Sequence, residues 1–111
     1  NDLIRPSLYD AWHTITPLTI DDSRNHSTYD IVGPVCESGD TFAKERSLQH
    51  IHEGEYVAIH SVGAYGAMMS SYYNARPPAA EVMVDGDTTT LLFQAPTIEE
   101  IIEKESSLLR A

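Results

Sequence analysis

The sequence predicts a mainly β domain that finishes in one α-helix. Three observations carry that prediction: short aromatic and β-branched runs separated by turn residues, a hairpin signature at Asp85-Gly86-Asp87, and a change to helical spacing after Thr97. At 111 residues the chain is one domain at most. With 41% hydrophobic residues it can bury only a modest core, and a domain of this size has little stability to spare without a partner.

Residues 9–16 (Tyr-Asp-Ala-Trp-His-Thr-Ile-Thr) are predicted as a strand that Pro17 closes. The uniformly polar stretch 21–28 is predicted as an exposed loop, and 29–36 as a second strand bent or bulged at Gly33-Pro34. Ser38-Gly39-Asp40 is a turn, followed by a short helical piece over 41–46. Glu53-Gly54 is another turn, leading into 56–62, the most continuous strand signal in the chain. Gly63-Ala64-Tyr65-Gly66 breaks that strand, and one or two helical turns are predicted over 67–74 before Arg76-Pro77-Pro78 enforce extension. Segments 81–84 and 88–94 flank the Asp85-Gly86-Asp87 turn, where glycine supplies the positive φ that hairpin turns need. Finally Thr97-Ile98-Glu99-Glu100 has capping-box spacing, and Ile98, Ile101, Ile102, Leu108 and Leu109 recur at helical intervals. Glu99, Glu100 and Glu103 suit the start of a helix dipole and Arg110 its end.

A net charge of −10 argues against nucleic acid and anionic membranes as partners, since both attract Lys and Arg. The single cysteine, Cys36, excludes an intrachain disulfide and fits a cytoplasmic setting. No basic-then-apolar leader is expected. Its longest semi-apolar stretch, 56–73, is interrupted by His60, serines and glycines, so no membrane span is expected. The chain opens at Asn1-Asp2-Leu3-Ile4 without an initiator methionine, as expected of a piece of something longer.

Several side chains invite chemistry. His50-x-His52, with Glu53 and Glu55 nearby, has the spacing of a metal pair on a strand. The segment is polar, runs into a turn and offers no third ligand at a persuasive spacing, so a solvated loop and no metal are expected. His13 and His60 read as ordinary core or surface histidines. Cys36 reads as a small apolar residue or as a nucleophile. What distinguishes it is Cys36-Glu37-Ser38-Gly39-Asp40, a thiol beside a carboxylate at a strand end that runs into a tight turn. Tyr65, among small residues, is either a packing residue or an exposed phenol beside close-lying backbone. Arg5 and Arg76 each sit against a rigid proline, which suits a guanidinium held for a carboxylate and equally a surface ion pair.

Four segments in order change the weight of these readings: Asn1-Asp2-Leu3-Ile4-Arg5-Pro6-Ser7-Leu8-Tyr9, Val32-Gly33-Pro34-Val35-Cys36-Glu37-Ser38-Gly39-Asp40, Gly63-Ala64-Tyr65-Gly66 and Tyr73-Asn74-Ala75-Arg76-Pro77. Together they resemble the carboxy-terminal part of the diaminopimelate decarboxylases, pyridoxal-phosphate enzymes of the alanine-racemase and ornithine-decarboxylase kind. The likeness extends to Ala80-Glu81-Val82-Met83-Val84-Asp85-Gly86 and so covers nearly the whole chain. It departs at the polar stretch 21–28 and at Ser61-Val62, and the tail helix matches least well.

The resemblance implies a Greek-key β-sandwich or barrel-like domain spanning 1–111, with short helices and a terminal helix, and with the (β/α)8 barrel absent from this chain. It implies conversion of meso-2,6-diaminopimelate to L-lysine and CO2 by a homodimer whose active site lies between one subunit's barrel and the other's β-domain. Arg5 and Tyr9 would hold a substrate carboxylate. Cys36 would donate the proton that replaces the lost carboxylate, Glu37 would read the distal amino group, and Tyr65 would contact cofactor and substrate.

These residue types suit that chemistry. Loss of the carboxylate leaves an electron pair that pyridoxal phosphate absorbs, and a thiol, with a free pKa of about 8.5, is mostly protonated at neutral pH and can serve as the acid. A buried carboxylate at Glu37 would be costly unless a substrate ammonium pairs with it. Ornithine-type relatives carry the shorter aspartate after this cysteine, so Glu37 favours diaminopimelate over an ornithine- or arginine-type decarboxylase. The other alternative, a stand-alone β-module for assembly or ligand binding, would not need Arg5, Tyr9, Cys36, Glu37 and Tyr65 together. The lysine that anchors the cofactor belongs to the barrel. Lys44 and Lys104, the only lysines here, are expected at the surface, and the chain alone is expected to be inactive. The family's β-domain also borrows strands from the amino-terminal end, so an exposed sheet edge, and with it an oligomer or swapped dimer, is expected.

Overall fold

The computed structural model describes residues 5–109, the side chain of Arg5 excepted. The chain divides into two units, the first reaching Ser70 and the second beginning at Ser71. The first holds a short helix α1 (Arg5–Tyr9) and strands β1 (Ile15–Pro17), β2 (His26–Val32), β3 (Thr41–Gln49) and β4 (Val57–Ile59). The second holds the hairpin β5 (Glu81–Asp85) and β6 (Thr88–Phe93), then helix α2 (Ile98–Leu109). The mainly β class with a terminal helix is what the sequence predicts.

All strand pairs among the described residues are antiparallel: β1 with β4, β2 with β3 and β5 with β6. In the first unit β4 returns beside β1 after the β2–β3 hairpin, so the first unit holds two two-stranded sheets. The enclosed core is small. Among the described residues Ile15 and Ala43 are buried apolar side chains, Pro6 and Gly66 are buried as well, and His13 and Asp40 are buried polar residues.

Five expectations are corrected. The strand predicted over 9–16 begins only at Ile15, because Tyr9 ends α1 and Asp10 turns the chain with a φ of 53°. A left-handed residue directly after a helix is a common terminator, and aspartate tolerates that region. The helical piece predicted over 41–46 is the first part of β3. Ala43, Lys44, Glu45 and Arg46 favour helix locally, but pairing with β2 overrides that preference. The register shifts between the Tyr29–Arg46 and Ile31–Ala43 pairs, Glu45 adopts a φ of 51°, and the Glu45 N–H donates to Asp30 Oδ1 at 2.8 Å. This bulge keeps Ala43 facing inward, where it is buried. Finally, the strand predicted over 29–36 stops at Val32 and the one over 56–62 at Ile59, while β2 begins at His26 inside the predicted loop.

Other expectations hold. Two 3-10 turns, Ala67–Met69 and Tyr73–Ala75, occupy the predicted helical stretch. Gly54 and Gly86 take the positive φ their turns require. The capping box is formed in both directions: the Thr97 N–H donates to Glu100 Oε2 at 2.8 Å, and the Glu100 N–H to Thr97 Oγ1 at 3.2 Å. Arg110 lies outside the described residues.

His50 and His52 lie in a loop, with no metal-binding group of three ligands among the described residues. That loop is fastened to the preceding one. Arg24 Nη1 donates to both carboxylate oxygens of Glu55, at 2.9 and 2.7 Å, and to the His50 carbonyl at 3.2 Å. Glu55 Oε2 also accepts the His52 N–H at 2.8 Å. The hydrogen bond from Arg24, with that from the His52 backbone, lowers the Glu55 pKa from 4.5 to about 2. No helix among the described residues is long and apolar enough to cross a membrane.

Candidate functional site

The loop after β2 carries the thiol and the carboxylate. The chain leaves the ladder at Val32, and the Gly33 N–H donates to the Asp40 carbonyl at 2.8 Å, closing a loop between them. Within it the Asp40 N–H donates to the Glu37 carbonyl at 3.1 Å. Asp40 is buried, and its Oδ2 accepts the Val35 N–H at 2.8 Å. Gly33 makes that possible, since a Cβ there would meet Asp40 Oδ2 at 2.1 Å. Thr41 Oγ1 donates to the Ser38 carbonyl at 3.0 Å, and Ser7 Oγ, from α1, to the Gly39 carbonyl at 2.5 Å. Asp40 thus frames the loop, a role that sequence reasoning did not assign to it.

On this frame Cys36 and Glu37 both point outward and are exposed. The backbone over 33–39 has left the strand, so the two neighbours need not face opposite sides. The Glu37 carboxylate is therefore not buried within this chain; its Oε1 accepts the Gly39 N–H at 2.7 Å.

Helix α1 and the Tyr65 turn supply the other predicted residues. Arg5 and Tyr9 occupy positions one helical turn apart in α1. Tyr9 is exposed, and the Arg5 side chain lies outside the described residues. Tyr65 is also exposed and holds a φ of 65°. The Met69 N–H donates to the Tyr65 carbonyl at 3.1 Å and the Ala67 N–H to the Val62 carbonyl at 3.0 Å, so the turn is backbone-bonded on both sides of the tyrosine. Beside α1 runs an open groove of about 700 Å³, lined among others by Ser7, Asp10, Trp12, Ser38, Lys44 and Arg46. The Arg46 guanidinium lies over the Trp12 ring. Lys44 and Lys104 are exposed, as expected.

A thiol, a carboxylate and two phenols therefore face out from one unit, three of them on backbone-braced turns and Tyr9 on α1. The family model described as "Pyridoxal-dependent decarboxylase, C-terminal sheet domain" matches residues 1–63.

The chain belongs to that family.

Its relatives narrow the likeness. It is 50% identical over 108 residues to a diaminopimelate decarboxylase of Pseudomonas fluorescens, covering 97% of this chain and 26% of that protein. It is 46% identical over 111 residues to one of Neisseria meningitidis, covering 100% and 26%. Among solved structures, one from Aquifex aeolicus matches with a TM-score of 0.88 and 45% identity, over 94% of this chain and 26% of that one. The diaminopimelate decarboxylase of Helicobacter pylori, solved in complex with L-lysine, matches with a TM-score of 0.85 and 40% identity, over 96% and 26%. The chain thus spans about a quarter of the length of these relatives.

Proposed function

We propose that residues 1–111 are the carboxy-terminal β-domain of a decarboxylase that converts meso-2,6-diaminopimelate to L-lysine and CO2, and that this domain supplies the proton donor and the substrate-reading residues. The observation that carries the reading is the Asp40-framed loop, which holds an exposed thiol next to an exposed carboxylate. Identity to the curated diaminopimelate decarboxylases, and the L-lysine bound to the Helicobacter pylori enzyme, support the substrate and product.

The residues present fit one wall of a pyridoxal-phosphate pocket. The exposed phenol of Tyr65 and the exposed thiol of Cys36 can meet a flat ring offered from outside this chain. When bound, the cofactor absorbs the electron pair left by the departing carboxylate. Tyr65 would border the cofactor and the substrate. Arg5 and Tyr9, a helical turn apart, take a substrate carboxylate, the guanidinium by two parallel donors. Cys36 Sγ–H gives its proton to the carbon that lost CO2. Glu37 accepts from the distal ammonium, its carboxylate being exposed and an acceptor only.

The same reading makes the enzyme a cytoplasmic homodimer with its active site between a barrel and this domain. Cys36, Glu37, Tyr9 and Tyr65 all face outward, as an interfacial site requires.

The test joins the chain to its barrel and measures CO2 release from meso-diaminopimelate. Cys36→Ala is expected to lower kcat on the order of 10²- to 10⁴-fold, the usual contribution of a positioned acid. Undiminished turnover by that variant removes Cys36 from the reaction.

A further inference from the structure

His13 is almost fully enclosed, at 4% exposure, and the chemistry above does not use it. Its Nδ1 lies 3.0 Å from the carbonyl oxygen of His60, forty-seven positions along the chain. A carbonyl only accepts, so Nδ1 carries the proton. The other tautomer would set a bare lone pair against that oxygen and leave an N–H at Nε2, which is buried and has no hydrogen-bond partner among the described residues.

What this bond joins gives it a role. His13 lies on the connector from α1, which carries Tyr9, into β1. His60 is the first residue beyond β4, and its N–H still donates to the Thr14 carbonyl at 2.8 Å. Its side chain is tied back too, Nε2 lying 2.7 Å from Thr16 Oγ1. Immediately afterwards Ser61 turns the chain with a φ of 56°, and the turn bearing Tyr65 begins. The His60 carbonyl, past the end of the ladder, gets its donor from an imidazole instead of a strand amide. We propose that His13 is a positioning residue: through Nδ1–H it fixes the point from which the Tyr65 turn departs, and so sets that tyrosine against the α1 segment. Its effect on turnover rests on the role given to Tyr65 in the proposed function.

Two substitutions separate this role from simple packing. His13→Asn keeps an amide N–H close to the place of Nδ1, whereas His13→Gln carries its amide out toward the place of Nε2. In the full-length protein, ¹⁵N correlation of the His13 ring is expected to find the proton on Nδ1. The Gln variant is expected to accelerate amide hydrogen exchange over residues 61–65, with the Asn variant close to the parent. In the same preparations kcat/KM for meso-diaminopimelate is expected to fall on the order of 10- to 100-fold for Gln and to stay near the parent for Asn, as a displaced ligand-contacting group requires.

A proton on Nε2 in the parent protein overturns the proposal, even if a variant does not fold. So does equal exchange over 61–65 in the two variants, which packing alone would produce. If exchange separates the variants while turnover does not, and Tyr65→Phe is also silent, the bridge stands and the role given to Tyr65 falls.

Discussion

At Asp40 a buried carboxylate oxygen accepts the Val35 N–H, and the bare Cα of Gly33 makes room for it. An alanine at 33 would bring its Cβ to 2.1 Å from Oδ2 and 2.4 Å from Cγ, so Asp40 would have to move and Val35 would lose its acceptor. Gly33→Ala is therefore expected to destabilise the first unit by about 1–3 kcal/mol, the cost of an unmet buried donor, as read from a lowered unfolding midpoint. Glu55 makes a pH-dependent prediction. Its folded pKa, about 2, lies below the ordinary 4.5, so its stabilising contribution is fully present above pH 4.5 and is lost as the pH falls through 2. Glu55→Gln is expected to lower Tm near neutral pH, with the gap to the parent closing across that window. A constant gap would mean that the Arg24 clasp contributes nothing through charge. Both side chains are half-buried and still open to solvent, whose screening keeps the gap modest.

Elements specified by neighbours in sequence were legible; those specified by distant partners were not. The hairpin around Gly86 needs only its own turn residues, and the α2 start only Thr97 and Glu100. Thr97→Ala is expected to cost about 0.5–2 kcal/mol of helix stability, seen as reduced helical ellipticity on warming. By contrast β3 is a strand because β2 lies beside it and Asp30 heals its bulge, neither of which can be read from Thr41 to Arg46. The five-residue α1 is too short for periodicity to reveal. The same division holds in the site. Cys36 and Glu37 stand out as adjacent residues, whereas Asp40 as a frame and the His13 contact with His60 depend on chain folding back.

The exposed apolar surface sets the behaviour of the molecule as a whole. In the second unit Val82, Met83, Val84, Leu91, Leu92 and Phe93 of the hairpin are exposed, as are Ile98, Ile102, Leu108 and Leu109 of α2. Soluble proteins seldom leave so many large apolar side chains uncovered, and unpaired strand edges recruit other strands. The chain by itself is expected to self-associate, with a weight-average mass in sedimentation that rises with concentration. A single species of 12.3 kDa at high concentration would contradict this.

The loop between Gly33 and Asp40 also separates what is held from what can vary. Its closing bonds run through main-chain atoms and the Asp40 side chain, while the side chain at 37 also accepts the Gly39 N–H. A shorter acid at 37 would keep the closing bonds and draw the charge back by one methylene. Loop closure and the reach of the charged group at 37 therefore rest on different residues.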